Sequence, residues 1–305
     1  MDQLRAIRVF VAVVEQGSFA AAAEHLGLSR TAASKHVQDL EARLGVALLT
    51  RTTRSVSLTQ TGAAYVERAR RILSELDQAD SEASLQTHAP RGRLRVAAPV
   101  SFGFRHLAPR LKDFMDAYPD VQLDIVANDR QVNLVEEGYD LAIRIGQLAD
   151  SSLVARRIAT SRLLVCAARG YLEQRGQPEH PSELGAHVCL GYPYWSGFRT
   201  WDFETPDGGA IRVPVGNQLW SNNGDLLLNA AVSGCGIIRQ PDFIVHEALA
   251  RGDLVKLFTD YPAPDIGIHV VYPPATVVPL RVRVLIDYLV KAFSRDFWSW
   301  LGIDQ

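Results

Sequence analysis

Residues 18–44 read SFAAAAEHLGLSRTAASKHVQDLEARL, and the break at Gly27-Leu28-Ser29 decides how the rest of the chain is read. Ser18 stands where an N-cap belongs, with a hydroxyl able to hold a backbone N–H of the first helical turn. The run from Phe19 to Leu26 carries Ala20, Ala21, Ala22 and Ala23, so this predicted helix has little side-chain bulk and can lie close to its neighbours. Gly27 offers the left-handed backbone that ends a helix, Leu28 can plug a core, and Ser29 can cap the next helix. Helix, short glycine turn and helix together make a helix-turn-helix layout.

Upstream, Leu4, Ile7, Phe10, Val11 and Val14 recur at helical spacing and predict a first helix that Gly17 terminates. Downstream, Ala33, Val37, Leu40 and Leu44 give the third predicted helix, about Arg30 to Leu44, one apolar side. Its other side presents Arg30, Thr31, Ser34, Lys35 and Gln38 after the capping Ser29. Arg and Lys pair with guanine edges or phosphate, Gln with adenine, and hydroxyls with either, so this face has the chemistry of a major-groove reader. A merely solvated helix face has similar composition. The next segment, VALLTRTTRSVSLTQTG at 46–62, favours the first reading: two apolar stretches flank a basic tip, as in a β-hairpin wing. Between residues 25 and 58 the bases Arg30, Lys35, Arg43, Arg51 and Arg54 outnumber the acids Asp39 and Glu41, so the positive field is local. Arg51, Thr52, Thr53 and Arg54 suit phosphate or minor-groove contact; a solvated hairpin tip is the alternative.

The run FAAAAEHLGLSRTAASKHVQDLEARLGVALLTRTTRSVSLTQTG resembles the N-terminal domain of LysR-type transcriptional regulators, and matching elements continue through nearly the whole chain. Arg30 stands where many members carry Gln or Pro, and LLTR at 48–51 replaces the commoner LFxR. These departures bear on the operator sequence and not on the fold. The implied organisation is multi-domain: an all-α winged helix-turn-helix domain over 1–60, a linker helix and hinge over 61–90, and a two-lobed, periplasmic-binding-protein-like α/β effector domain over 91–305.

Independent patterns agree with that division. Tyr65, Ala69, Ile72, Leu76, Ala79 and Ala83 step by four and three, a heptad seam that calls for a partner helix from a second protomer or from the chain's own head. Two heads on one face of DNA would need half-sites about 34–36 Å apart or a multiple of that. Ala89, Pro90 and Gly92 mark a hinge. Beyond Arg93 strands and helices alternate: strands at LRVAAPV, VQLDIVAN and YDLAIRIG, a helix from Phe102 to Tyr118 and a short one at LVEEG. This alternation predicts parallel sheets covered by helices. A second unit is expected from about residue 161 to 265, after which IGIHVVYP and a helix from Leu280 return to the first lobe, 91–160 with 266–300.

Ligands in such folds bind at strand C-termini and helix starts. Ser101, Phe102 and Gly103 open one helix, Asn222, Asn223 and Gly224 another, and Asn128 and Gly146 end two strands. Each helix start by itself suits a simple capped helix. The resemblance places the effector pocket at both, and helix N-termini favour an anion, so the expected effector is a small carboxylate or similar anion. The aromatic run 192–203 contributes Trp195 and Trp201 as candidate walls, although aromatics also fill cores and staple hairpins. Operator DNA, effector and a second copy are the implied partners, with tetramers and RNA polymerase contact in the same picture.

Composition narrows the rest. Net charge is −2 over 305 residues, so no whole-chain field announces nucleic acid. No run approaches twenty apolar residues, and MDQLRAIRVF lacks a secretory layout, so the expectation is a cytoplasmic protein without membrane contact. Nucleophile elbow, HExxH, P-loop and GxGxxG are all missing from the sequence, so a non-enzyme without cofactor, metal or catalytic residues is expected. A solute-binding protein shares the C-terminal architecture but not the N-terminal head. A redox sensor at Cys166 or Cys235 is a further alternative; both, with Cys189, otherwise read as small buried residues.

Overall fold

The computed structural model describes all residues except 1, 52–55, 84–88, 149–150, 194–198, 276–277 and 294–305, with backbone alone at 51, 74–75, 77–83 and 217. The chain divides into two compact units, Met1–His88 with Glu136–Gly138, and Ala89–Val135 with Tyr139–Gln305.

In the first unit, α1 (Gln3–Gln16), α2 (Phe19–His25) and α3 (Arg30–Leu44) precede a hairpin of β1 (Leu49–Arg51) and β2 (Val56–Leu58), and α4 (Gln60–Ala83) follows. Asp2, Ser18 and Ser29 cap the three short helices through their side chains, and Gly17, Gly27 and Gly45 leave them with φ near +65°. The apolar face expected of α1 is too narrow. Ala6, Ile7, Val9, Phe10, Val11, Ala12 and Val13 are all buried because α2, α3 and α4 pack around this helix, whereas Leu4 at its start is exposed. Of the four alanines in α2, Ala22 and Ala23 are buried and Ala20 is not. In α3 Ala33, Val37 and Leu40 are fully covered, while Leu44 stays exposed at the helix end.

The hairpin is fastened to the helices by polar groups. Leu48 and Leu49 N–H donate to Glu41 Oε1 at 2.8 and 3.0 Å. Thr59 Oγ1 donates to Ala47 O at 2.9 Å and accepts from Gly62 N–H at 2.9 Å. Gly62 is required here, because a Cβ would lie 1.9 Å from Leu48 O. The heptad seam divides between two faces. Val66, Ala69 and Leu73 bury against the unit's own core and Tyr65 meets Phe10 edge-on, while Ile72 remains 48% exposed. Ala79 and Ala83 have no described side chains.

The second unit holds two five-stranded sheets. One has the order β4-β3-β5-β14-β6, from β3 (Gly92–Ala98), β4 (Val121–Ala127), β5 (Leu141–Ile145), β6 (Val154–Ser161) and β14 (Ile266–Tyr272). The other has the order β11-β8-β12-β7-β13, from β7 (Leu163–Ala167), β8 (Val188–Gly191), β11 (Gly216–Trp220), β12 (Ile237–Pro241) and β13 (Val255–Leu257). The expectation of parallel sheets needs correction. In each sheet three strands are parallel, and β14, β6, β7 and β13 run antiparallel to their neighbours, because the chain crosses between lobes after β6 and again before β14. The hairpin of β9 (Thr200–Glu204) and β10 (Ala210–Pro214) forms a separate two-stranded sheet.

The helix expected from Phe102 is irregular: α5 (Val100–Phe102) passes through a π turn at Gly103–Leu107 and a 3-10 turn into α6 (Leu111–Ala117). The remaining helices are α7 (Leu134–Glu137), α8 (Arg169–Arg175), α9 (Gly224–Val232), α10 (Asp242–Arg251) and α11 (Leu280–Ala292). One apolar core runs through both lobes and includes Phe102, Phe114, Leu227, Phe243, Ile268 and Leu289. No single helix among the described residues is long and apolar enough to cross a membrane.

Candidate functional site

In the first unit, Ser29, Arg30, Thr31, Lys35 and Gln38 are exposed on α3 and Ser34 is half-buried. Ser29 Oγ accepts from Ala32 N–H and shares a 2.9 Å hydrogen bond with Thr31 Oγ1, so the first turn is ordered before any ligand arrives. Arg30, Lys35 and Gln38 engage no hydrogen bond or ion pair among the described residues. Glu41, one of the two acids in this stretch, accepts backbone N–H groups of the hairpin through Oε1. Arg51 has a described backbone only, and Thr52, Thr53 and Arg54 lie outside the described residues.

In the second unit a cavity of about 190 Å³ opens between the lobes. Cavities of ~150 Å³ hold benzene, so the space suits a ligand of one ring or similar size. Its walls come from the ends of β3 and β5, the loop after β4, and the starts of α9 and α10. Ser101, Phe102, Asn128, Asn222 and Gly224 line it, five of the ten expected effector residues. Gly103 lies in the π turn, Gly146 between the lining Ile145 and Gln147, and Asn223 behind the wall. Trp195 lies outside the described residues. Trp201 is a correction: it is buried in a separate core of the second lobe with Phe203 and Val213, beneath Arg239 at 5.2 Å, because β9 and β10 use it to staple their hairpin to that lobe.

The helix starts also differ from expectation. Asp129 Oδ1 accepts Val100 N–H at 2.9 Å, and Asp129 Oδ2 accepts from Asn223 Nδ2 at 2.8 Å. Asn223 Oδ1 caps Leu226 N–H. Ser101 Oγ donates to Asp225 at 2.7 Å, and Arg105 Nη2 pairs with the same carboxylate at 2.6 Å. The chain's own carboxylates therefore satisfy the groups expected to receive an anion, and the same bonds join one lobe to the other. A cationic group stands elsewhere in the wall. Arg144 Nη2 donates to Val132 O at 3.1 Å, and its guanidinium forms no ion pair among the described residues. Desolvation holds its pKa below the ordinary arginine value.

Sequence reasoning missed Asp129 and Arg144 as cavity residues, and of the aromatic run 192–203 it is Tyr192 that lines the cavity. Arg144 had a usable signal, a lone charge inside the otherwise apolar LAIRI strand. Tyr192 donates to Gln240 Oε1 at 2.7 Å, and Gln240 Nε2 is buried without a partner among the described residues. Burial pushes the Cys166 and Cys189 thiols up to about 12, so neither supplies a thiolate, whereas Cys235, expected in a buried turn, is exposed. Among the described residues, no group of three His, Cys, Asp or Glu side chains is placed to hold a metal ion.

A winged helix-turn-helix head and a two-lobed α/β domain with an interlobe cavity define a DNA-binding transcriptional regulator with a ligand-binding domain. Residues 4–63 match the bacterial regulatory helix-turn-helix protein, lysR family, and residues 87–294 match the LysR substrate binding domain. The chain belongs to the LysR family of transcriptional regulators. It is 38% identical over 291 residues to the HTH-type transcriptional regulator CrgA of Neisseria meningitidis, covering 95% of this chain and 97% of that protein. It is 34% identical to DmlR of Escherichia coli, covering 96% and 95%. The solved structure of CrgA from Neisseria meningitidis matches with a TM-score of 0.60 at 37% identity, covering 95% and 99%. That of the Vibrio cholerae virulence activator AphB matches with a TM-score of 0.58 at 26% identity, covering 94% and 98%.

Proposed function

We propose that the exposed face of α3 reads operator DNA and that a small carboxylate or similar anion in the interlobe cavity modulates that binding. The observation that carries the DNA half is the set Arg30, Lys35 and Gln38, exposed on α3 without partners among the described residues. Arg51, Thr52, Thr53 and Arg54 join it from the wing. Protomers pair through the exposed side of α4 around Ile72, and dimers associate into tetramers in the cytoplasm, where RNA polymerase is a further partner. The exposure of Ile72 on a helix already packed through its other face supports the pairing. The effector half is supported by the cavity's size and by the Arg144 guanidinium in its wall, which forms no ion pair among the described residues. Effector and operator must then change each other's affinity by the same factor.

The test of DNA reading is selection of binding sites from a random duplex library, followed by anisotropy titration over a salt series. Lys35→Ala should weaken binding and lower the salt slope by about 0.9 if one phosphate contact is lost. A slope and affinity equal to those of the unaltered protein remove Lys35 from the interface.

A further inference from the structure

Two arginines with a histidine between them stand in a row across the outer half of the first lobe's sheet. Arg144 on β5 is in register with His269 on β14, and His269 is in register with Arg157 on β6. Residues in register on adjacent strands share one sheet face, and strands lie about 4.8 Å apart, so the row spans about 10 Å of backbone. Along the same strands Ala142 and Val271 bury in a small core on this face, while Arg156, one residue from Arg157, points to the opposite face and pairs with Asp287 of α11. Exposure grades along the row: Arg157 is exposed, His269 and Arg144 are half-buried, and Arg144 reaches the cavity wall.

None of the three is joined to a carboxylate among the described residues. Burial, and after it the charge of Arg157, hold the His269 pKa below its ordinary value against the opposing pull of the Gly267 backbone, so the ring enters the row as a neutral polar group. His269 Nδ1 is buried without a hydrogen-bond partner there. Keeping the Arg144 guanidinium half-buried without an ion pair among the described residues is costly unless an anion offsets its desolvation. The acid in the cavity lining, Asp129, has both oxygens occupied by Val100 and Asn223, so it does not compete for Arg144.

We infer that Arg157, His269 and Arg144 form an anion track from the surface of the first lobe to the cavity, with Arg144 as the anchor for the effector's carboxylate. This rests on the proposed effector reading and sharpens it: the ligand is a monoanion with a compact apolar body, its charge on Arg144 and its body against Phe102, Phe243 and Ile244. Arg157 and His269 act on the approach of the anion and make no contact with it once it is bound.

The test uses the full chain with benzoate as the anionic probe and benzamide as its neutral counterpart, each against sodium chloride at matched ionic strength. Thermal shift and calorimetric titration read binding. Benzoate should stabilise the unaltered protein. Arg144→Gln should weaken benzoate at least tenfold, since a charge-assisted pair to a carboxylate is lost. Arg144→Lys, which keeps the charge, should recover part of the loss and shows that the site still folds. Arg157→Gln should slow benzoate association about twofold to threefold at low salt and leave it unchanged near 1 M salt. Equal benzoate affinity in the unaltered protein and in Arg144→Gln overturns the anchor while leaving the cavity as a ligand site. Benzamide binding as well as benzoate overturns the carboxylate reading itself, and the absence of any benzoate-specific stabilisation overturns both.

Discussion

The contact between lobes contains a histidine whose environment sets a measurable pH dependence. His106 is 3% exposed, its ring lies 5.6 Å from that of Phe102 and 5.4 Å from that of Phe243, and Nε2 is 3.3 Å from Phe243 O. Desolvation is the main reason its pKa falls from 6.5 to about 4; Arg110, His246 and Arg105 add repulsion, and the Phe243 carbonyl opposes the shift. A histidine depressed in the folded state leaves the protein most stable above pH 6.5. Stability is lost as the pH falls, because the unfolded chain takes up a proton that the folded chain refuses. With these two pKa values the loss between pH 8 and pH 5 is about 2 kcal/mol, approaching about 3 kcal/mol near pH 4. His106→Phe carries a constant packing offset without the titration, so the difference between the two proteins isolates the effect. All five tryptophans lie at residue 195 or beyond, so urea titration followed by tryptophan fluorescence reports on the second unit alone. For a urea slope of about 2 kcal/mol/M, the midpoint of the unaltered protein should fall by about 1 M relative to His106→Phe between pH 8 and pH 5. A midpoint difference that stays constant over that range refutes the assignment of a dry, neutral His106 to the interlobe contact.

Two further outcomes follow from the same geometry. Glu41→Ala strips the partner from the Leu48 and Leu49 N–H groups, which should destabilise the hairpin by about 1.5–3 kcal/mol and accelerate amide exchange at those two positions by at least tenfold; unchanged exchange contradicts the role given to Glu41. In the native protein one thiol, Cys235, should react readily with a disulfide reagent at pH 8 and three after denaturation, whereas fast reaction of a second native thiol contradicts the burial of Cys166 and Cys189.

Legibility in the sequence followed how local each signal is. Ser18, Gly27 and Ser29 act within one helical turn, so the helix boundaries around 18–44 could be read from the residues and recur in the structure. The burial of α1 on nearly all sides was not legible, because it depends on three helices arriving from separate stretches of chain. The heptad reading of α4 took Tyr65 and Ala69 for a seam that the unit's own core occupies, since a two-sevenths stripe does not say which partner covers it. The antiparallel crossing strands escaped for a related reason: β6 and β14 are 112 residues apart at their starts, 154 and 266, and their pairing is a property of the return path.

The cavity shows the limit most clearly. Periodicity located Ser101 and Asn223 at helix starts, where N–H groups attract negative charge in general. What occupies those groups is decided by Asp129 and Asp225, one from each lobe, reaching across to Asn223 and Ser101. Once these internal carboxylates satisfy the helix starts, an incoming anion has to find a cation without an ion pair among the described residues. The position that qualifies is Arg144, which in one dimension is only a charge interrupting LAIRI. Its meaning depends on β14 and β6 arriving beside β5 without an ion-pairing acid among the described residues, so a misplaced charge in a strand becomes the basis for naming a ligand class only when the sheet order is known.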